Sequence, residues 1–408
     1  MRIIPLIIPL LALQACSKSE VDGSPPDTQT SQDSGDSSDD SGTEPDTLDM
    51  SKVQEKIASE MEDKFIPGLA AALIIGDEVV WAEGFGWASV EEETPVTPNT
   101  PFMLASISKT FTGTALMQAM EEGHFDLESP INDILSFPVD NPRVEGEVIQ
   151  IKHLVTHTSG IRDNWSVWEE DNGDLYSDGD SPIPLSDFLQ DYLLPTGAYY
   201  DAEKTFVDRA PGAQWNYGNV ATALAGQLLE AGTGVPLDDH SDTAIFERLG
   251  MTHTGWHLED HVVAEVAVPY TRSNGELVAV PHYGYPDYPD GQLRSSVADL
   301  GRYAAALLSQ GSLDGEQLLT PESVDALFTP PLSAYEDQGV FWFRGEMRGH
   351  ACWGHSGGDL GVQTDLKLFP ESGFGIAILI NTDQSVAWTG LMQIERELIK
   401  KAEDLLGL

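Results

Sequence analysis

The chain has 408 residues, 41% of them hydrophobic and 9 of them Trp, which is enough for a large folded core. It carries 67 acidic and 21 basic residues, and residues 1–49 hold only 10 acidic and 2 basic ones, so most of the excess belongs to the remainder. A surface this acidic repels phosphate backbones, and nucleic acid is therefore not an expected partner.

The N-terminus has the pattern of an export signal. An apolar run follows Arg2 and ends at Leu13, which is shorter than the roughly 20 apolar residues that cross a membrane. The sequence LQAC from Leu13 to Cys16 resembles a bacterial lipobox, so we interpret residues 1–16 as a lipoprotein signal peptide, with plain secretion as the alternative. The resemblance implies a lipid anchor on Cys16, and Ser17 favours the outer membrane of a bacterial envelope, facing the periplasm or the cell surface.

Residues 17–49 are rich in Ser, Asp, Thr, Pro and Gly and hold almost no bulky apolar side chain. Such a segment buries too little surface to offset its chain entropy. We predict a disordered acidic linker here, and a folded domain over residues 50–408.

Hydrophobic periodicity places strands at both ends of that domain and helices in the middle. The predicted elements in chain order are a helix at 50–65, a two-stranded hairpin over 69–86, a helix within 101–123, further helices up to about residue 310, a strand that opens at His355 and runs to Phe369, a strand at 374–382 and a helix at 386–405. Strands that pair across such a distance form one antiparallel sheet. We therefore predict an α+β fold of two lobes, with helices flanking the sheet and an all-helical lobe inserted.

The tetrapeptide Ser106-Ile107-Ser108-Lys109 opens the helix within 101–123. Residues three apart share a helix face, and the serine would lie at the positive end of the helix dipole. Desolvation of Lys109 would lower its pKa, so that a neutral amine could take the serine proton. A capping serine beside a lysine that reaches solvent explains this motif equally well.

Tyr217-Gly218-Asn219 forms a second candidate element, after Trp215. The phenol could relay protons to a leaving group while the amide of Asn219 binds the acyl part of a substrate. Tyr-x-Asn is common in loops, so this element is weak by itself.

The third element is His355-Ser356-Gly357-Gly358. A Gly-rich strand edge lets a substrate approach closely, and the N–H of Gly358 could form an oxyanion hole with that of Ser106. Ser356 also fits a nucleophile elbow, but that site needs a later His, and no His follows His355.

In this order and spacing, the three elements resemble the S-x-x-K, Y-x-N and H/K-x-G set of the class C β-lactamase and DD-peptidase family. The resemblance covers residues 50–408 and includes HLVTHTSGI, PGAQWNYGN and DGQLRSSVADLGRYAAALL. It implies Ser106 as nucleophile, Lys109 as base or proton partner, and Tyr217 as second proton carrier. The substrate-binding residues that it implies are Asn219, His355, Ser356, Gly357 and Gly358. It also implies a site in the cleft between the sheet and the helical lobe, with no metal or organic cofactor.

His355 stands where class C β-lactamases usually have Lys, and is typical of DD-carboxypeptidases, D-aminopeptidases and some esterases of the family. A His at pH 7 is mostly neutral and anchors a carboxylate poorly. We therefore expect hydrolysis of cell-wall peptides or small esters, with a β-lactamase or a non-catalytic penicillin-binding sensor as alternatives. The aromatic segment 163–208, with Trp165, Trp168, Tyr176 and Tyr199, is expected to line or cover the cleft and to shape specificity.

Overall fold

The computed structural model describes residues 48–169 and 175–408. Cys16, the predicted signal peptide and nearly all of the predicted linker lie outside these residues, so those predictions stay predictions. Within the described ranges, no helix combines the length and apolarity needed to cross a membrane.

Helices occupy most of the middle of the chain. The α-helices of the described residues are α1 Ser51–Lys64, α2 Ser108–Glu121, α3 Ile151–Val155, α4 Ser166–Glu169, α5 Leu185–Leu193, α6 Ala202–Thr205, α7 Asn219–Thr233, α8 Leu237–Ser241, α9 Glu247–Leu249, α10 Val297–Leu308, α11 Pro321–Leu327 and α12 Gln384–Leu406. Helices α2 and α7 pack against each other and are buried along most of their length, so they form the centre of the helical lobe.

Strands lie mainly near the two ends of the domain. They are β1 Gly68–Ile75, β2 Glu78–Ser89, β3 Thr94–Pro95, β4 Phe102–Met103, β5 Ser177–Asp178, β6 Tyr270–Ser273, β7 Glu276–Ala279, β8 Tyr283–Gly284, β9 Arg294–Ser295, β10 Ser312–Leu313, β11 Glu316–Gln317, β12 Phe343–Met347, β13 His350–Asp359, β14 Val362–Phe369 and β15 Phe374–Ile380. The strands that build the main sheet are thus separated by the whole helical segment.

The main sheet has seven antiparallel strands in the order β12-β13-β14-β15-β1-β2-β3. Its centre joins the two ends of the domain, because β15 pairs with β1 and places Ile380 opposite Leu69. Side chains of β1 alternate between two cores. Leu69 and Leu73 face α1 and α12, whereas Ala70 and Ala72 face the core that continues into the helical lobe. Helix α10 packs on this second face.

The α+β architecture predicted from the sequence is confirmed, including the hairpin at β1 and β2 and the terminal helices α1 and α12. The single strand predicted from His355 to Phe369 is wrong. These residues form the second half of β13 and all of β14, joined by a turn at Leu360 and Gly361. Gly361 has φ +74°, a left-handed conformation that favours glycine and reverses the chain here.

Candidate active site

Ser106 lies in a tight turn directly before helix α2. Residues Ala105–Ile107 form one 3-10 turn that leads into the helix. Ala105 has φ +47°, in the left-handed region where a residue with a side chain is strained, and such strain is typical of functional sites. Lys109 Nζ lies 3.1 Å from Ser106 Oγ. The turn therefore brings the hydroxyl and the amine three residues later into direct contact.

Lys109 is fully buried and contacts uncharged groups. Besides the serine, its Nζ donates to the carbonyl oxygen of Asp290 at 2.6 Å and lies 5.0 Å from the ring centroid of Tyr217. Burial lowers the pKa of Lys109, but the nearby Tyr217 and the Asp290 carboxylate raise it, and the net pKa lies above its usual value. The neutral amine expected from desolvation alone is therefore not the resting form, and the ammonium is.

Tyr217 is held beside this pair by a layer of rings. The His157 ring centroid lies 4.4 Å from that of Tyr217, and the Phe343 centroid lies 6.4 Å away. The side chains of Ser106 and Lys109 lie near enough to the phenol to lower its pKa. Burial raises the pKa of Tyr217 although Lys109 opposes the shift, so the phenol is protonated at neutral pH.

Asn219 begins helix α7 beside a carboxylate that the sequence analysis missed as a site residue. Asp163 accepts the backbone N–H of Asn219 at 2.9 Å and that of Val220 at 3.1 Å. A carboxylate at a helix N-terminus satisfies free N–H groups and matches the helix dipole. Asp163 also lies near enough to Lys109 to raise its pKa. It therefore fixes the start of α7, where Tyr217 and Asn219 lie half-buried.

Strand β13 passes directly against the Ser106 turn. A Cβ added to Gly357 would lie 2.2 Å from the carbonyl oxygen of Leu104 and 2.2 Å from Thr364 Oγ1. Thr364 Oγ1 in turn donates to the Leu104 carbonyl at 2.6 Å. Only glycine therefore allows this close approach, and the next residue, Gly358, is exposed at the cleft.

The structure does not bring the hydroxyl of Ser356 to the site. It donates to Asp365 at 2.6 Å, and the Asp365 carboxylate pairs with Lys367 on the face of the sheet that α12 covers. Strand alternation explains this placement, because His355 and Gly357 face the Ser106 turn and the residue between them faces away. The predicted substrate contact of this side chain is corrected accordingly, and its position in mid-strand also excludes the nucleophile elbow.

His355 is buried and neutral. Its Nδ1–H donates to the carbonyl of Ser356 at 2.8 Å, and its ring centroid lies 5.0 Å from that of Phe343. Burial and the charge of Lys109 lower the pKa of His355 to about 3. Within residues 48–169 and 175–408 its Nε2 has no hydrogen-bond partner. The imidazole can therefore hydrogen-bond to a substrate but cannot attract it by charge.

Three further carboxyl groups at the site were missed from the sequence. Asp287 precedes the 3-10 turn Tyr288–Asp290, which packs on α2, Asp290 ends that turn, and Asp359 directly follows Gly358. Lys109 opposes the pKa rise that burial causes in each of them. The motif DGQL contains Asp290 and was the one available signal. Across the described ranges no three His, Cys, Asp or Glu side chains are grouped to hold a metal.

The aromatic segment at 163–208 contributes to the site only in part. Tyr176 lies 5.7 Å from Tyr285, between ring centroids, and both rings pack in the cluster that contains Ala105 of the Ser106 turn. Trp168 and Tyr199 instead pack on Phe188 of α5, at 6.0 Å and 6.3 Å between ring centroids. These two rings therefore pack on α5, and whether the segment covers the cleft stays a prediction, since residues 170–174 lie outside the described structure.

The fold and the side chains around Ser106 define a class of protein. Solved structures of a penicillin-binding protein homologue and of a class C β-lactamase share this antiparallel sheet beside a helical lobe. A family model described as Beta-lactamase matches residues 53–392. The chain belongs to this family, as the sequence analysis expected.

Known proteins resemble the chain over most of its length. PbpX of Bacillus subtilis (strain 168) is 26% identical over 341 residues, which cover 82% of this chain and 75% of PbpX. Protein flp of Staphylococcus aureus (strain NCTC 8325 / PS 47) is 24% identical, and the match covers 80% of this chain but 61% of flp. The octameric penicillin-binding protein homologue from Pyrococcus abyssi has a TM-score of 0.68 at 26% identity, covering 85% of this chain and 77% of that one. EstCE1, a hydrolase with promiscuous acyltransferase activity, shares the fold with a TM-score of 0.65 at 19% identity. The match covers 85% of this chain and 97% of EstCE1.

Proposed function

We propose that the chain is a serine hydrolase that forms an acyl-enzyme at Ser106 on peptide amides or esters. The observation that carries the proposal is the 3.1 Å contact between Ser106 Oγ and Lys109 Nζ, with the ring centroid of Tyr217 5.0 Å from the same Nζ. A hydroxyl becomes a nucleophile when a neighbouring group can accept its proton. This cluster supplies such a group and a second proton carrier beside it.

Acylation starts from the form of the site that has lost one proton from the Lys109–Tyr217 pair. Ser106 Oγ bonds to the carbonyl carbon, its proton passes to the pair, and the carbonyl π electrons move to oxygen. We assign the backbone N–H groups of Ser106 and Gly358 to that oxyanion. Tyr217 then protonates the leaving amine or alcohol as the C–N or C–O bond breaks. Water repeats the sequence on the acyl-enzyme, with the pair accepting a water proton and returning one to Ser106 Oγ.

The charges around the nucleophile favour amides and esters over anionic β-lactams. His355 is neutral and buried, and Asp163, Asp290 and Asp359 all lie near Lys109. A substrate carboxylate would meet these acids, and the Lys109 ammonium beside them already donates to Ser106 and to the Asp290 carbonyl. Cell-wall peptides with D-amino acids and small carboxylic esters are therefore the favoured substrates. Rapid β-lactam hydrolysis and a non-catalytic penicillin-binding module are the other outcomes that an experiment must separate.

The test follows the full chain by intact mass and by product release, with p-nitrophenyl butyrate and benzylpenicillin as substrates. We expect ester turnover that Ser106→Ala abolishes and that Ser273→Ala, a change of an exposed serine on β6, leaves unchanged. A slow penicillin adduct on Ser106 would indicate a DD-peptidase-like site, and rapid penicillin loss a β-lactamase. A stable adduct without turnover of any ester or peptide would indicate a sensor. Ester turnover that survives in Ser106→Ala would overturn the mechanism.

We further propose that the protein is exported and attached to the bacterial envelope through a lipid on Cys16. The sequence LQAC and the acidic, Ser-rich residues 17–49 support this proposal. Radiolabelled palmitate should enter the wild-type protein and not Cys16→Ser. Equal labelling of both would exclude the anchor at this position.

A further inference from the structure

Tyr217, the proposed second proton carrier, lies in a segment without regular secondary structure. It falls between helices α6 and α7, two residues before Asn219 opens α7. A side chain on such a segment is not fixed by a helix or by a sheet, although a proton carrier must be held within hydrogen-bond reach of the reacting atoms. Contacts with another part of the chain must therefore hold the phenol in place.

His157 contacts the chain on both sides of Tyr217. Its carbonyl oxygen accepts the backbone N–H of Asn216 at 2.7 Å, and its Nδ1 accepts the backbone N–H of Gly218 at 3.4 Å. Its ring centroid lies 4.4 Å from that of Tyr217. One residue thus holds the peptide groups before and after the phenol and also packs on the phenol ring.

The imidazole of His157 is itself fixed by its surroundings. His157 is 1% exposed, and its ring centroid lies 5.6 Å from that of Phe341 and 6.0 Å from that of Phe343. Burial and the charge of Lys109 lower the pKa of His157 well below its usual value, so the ring is neutral. Because Nδ1 accepts a hydrogen bond, the ring proton lies on Nε2.

The backbone of His157 has a conformation that usually suits glycine. The residue directly follows Thr156, the C-cap of α3, and has φ +56°. Helices commonly end with Gly or Asn in this left-handed conformation. A residue with a larger side chain is strained there, and such strain is typical of functional sites. The side chain of His157 therefore supplies something that glycine cannot, namely an acceptor for Gly218 and a packing surface for Tyr217.

We propose that His157 is a positioning residue that holds the phenol of Tyr217 where it can protonate the leaving group. His157 acts through Tyr217 and needs no contact with the substrate. The inference rests on the proposed acyl transfer at Ser106, in which Tyr217 gives a proton to the departing amine or alcohol. Loss of His157 should therefore matter most for leaving groups that depend most on that proton.

Two esters with the same acyl group separate this role from a general structural one. p-Nitrophenolate leaves readily without a proton, whereas phenolate is the stronger base and gains more from one. The full chain is assayed with phenyl butyrate and p-nitrophenyl butyrate, and the readout is the ratio of the first kcat/KM to the second. Both values scale with the concentration of folded enzyme, so partial unfolding of a variant leaves their ratio unchanged.

We expect Tyr217→Phe and His157→Leu each to lower this ratio by roughly 5-fold or more, because both impair proton delivery to the leaving group. His157→Asn keeps a side-chain acceptor and tolerates the left-handed backbone, so it should lower the ratio by less than about 3-fold. If His157→Leu does not fold, His157→Gly replaces it with the same expectation, because glycine suits this backbone conformation.

His153→Leu is the matched control. His153 is also buried, and its Nδ1 accepts the backbone N–H of Gln150 at 3.0 Å at the start of α3. Its loss should destabilise the start of that helix but change the ratio by less than about 2-fold, since the hydrogen bonds on either side of Tyr217 come from His157.

A wild-type ratio in His157→Leu or His157→Gly would overturn the inference, and so would an equal fall of the ratio in His153→Leu. An unchanged ratio in Tyr217→Phe would overturn it as well, because there would be no proton delivery to position. The proposed hydrolase function fails by a different result, namely ester turnover that does not need Ser106, and a wild-type protein without ester turnover would overturn both. The inference about His157 can therefore fail while the hydrolase function stands.

Discussion

Two buried lysines lie on opposite faces of the same sheet region and have opposite surroundings. Lys367 on β14 is 3% exposed and pairs with Asp365 and with Glu395, whose Oε1 lies 2.6 Å from its Nζ. Lys109 is 0% exposed, and its Nζ contacts a serine hydroxyl and a backbone carbonyl, with carboxylates only beyond these. Burial opposes the charge of Lys367, but its two partners outweigh it and raise its pKa to about 12.

The difference separates a structural charge from a reactive one. The Asp365 carboxylate and the carboxyl of Glu395 fix the ammonium of Lys367 and hold β14 to α12, and burial and Asp365 raise the pKa of Glu395 well above its usual value. Lys109 is charged at rest but contacts only neutral donors and acceptors, so it can give up or take a proton without breaking an ion pair. Each prediction below perturbs one member of this pair.

The largest expected effect is the loss of catalysis when Lys109 becomes Met. We expect kcat/KM for p-nitrophenyl butyrate to fall by about 10³-fold or more, because Ser106 loses the group that exchanges its proton. The free energy of unfolding should change by less than about 1 kcal/mol or rise, since Met avoids the burial of a charge. Ester kinetics and urea unfolding of the same preparations measure both quantities. A large loss of stability with unchanged kcat would assign Lys109 a structural role instead.

The reverse pattern is expected for Lys367→Met. This change leaves Asp365 and Glu395 buried without their cation, so unfolding should require about 3–5 kcal/mol less free energy, while the folded fraction keeps most of its kcat. Replacing all three residues, as Lys367→Met with Asp365→Asn and Glu395→Gln, should recover much of the loss. Urea unfolding tests the set. A triple variant no more stable than the single one would contradict the account of Lys367 as a compensated charge.

The smallest expected effect is the dependence of kcat/KM on pH. The pKa values of Lys109 and Tyr217 are both raised, so the reactive form that lacks one proton becomes more populated as the pH rises. We expect kcat/KM for a neutral ester to rise roughly 10-fold per unit from about pH 7 to about pH 9. Ser106→Ala gives the background of hydroxide hydrolysis. A plateau below about pH 8 would instead support the lowered lysine pKa expected from desolvation alone.

The sequence predicts the parts of the site that are local in the chain. The spacing of Ser106 and Lys109 on one turn follows from helix geometry, and the Gly-rich segment around Gly357 follows from the need for close backbone approach. The hairpin and the terminal helices were likewise predicted from periodicity. Each of these depends on residues within a few positions of one another.

What the sequence could not predict comes from contacts between distant segments. The pKa of Lys109 is raised because Tyr217 and Asp290, both distant in the chain, lie beside it, so desolvation alone gave the wrong direction for this pKa. The side of the sheet to which the Ser356 side chain points, by contrast, follows from strand alternation and could have been predicted from the sequence.

The pairing of β15 with β1 affects the order in which parts of the protein fold. The central strand of the sheet, β15, is the last strand in the chain. Strand β1 therefore has no hydrogen-bonded neighbour on that side until residues 374–380 have been synthesised. Until then β13 and β14 have no completed sheet to hold them against the turn at Ser106. Long-range pairing of this kind slows folding and raises contact order. The nucleophile is thus among the earliest residues to be synthesised and among the last to be assembled.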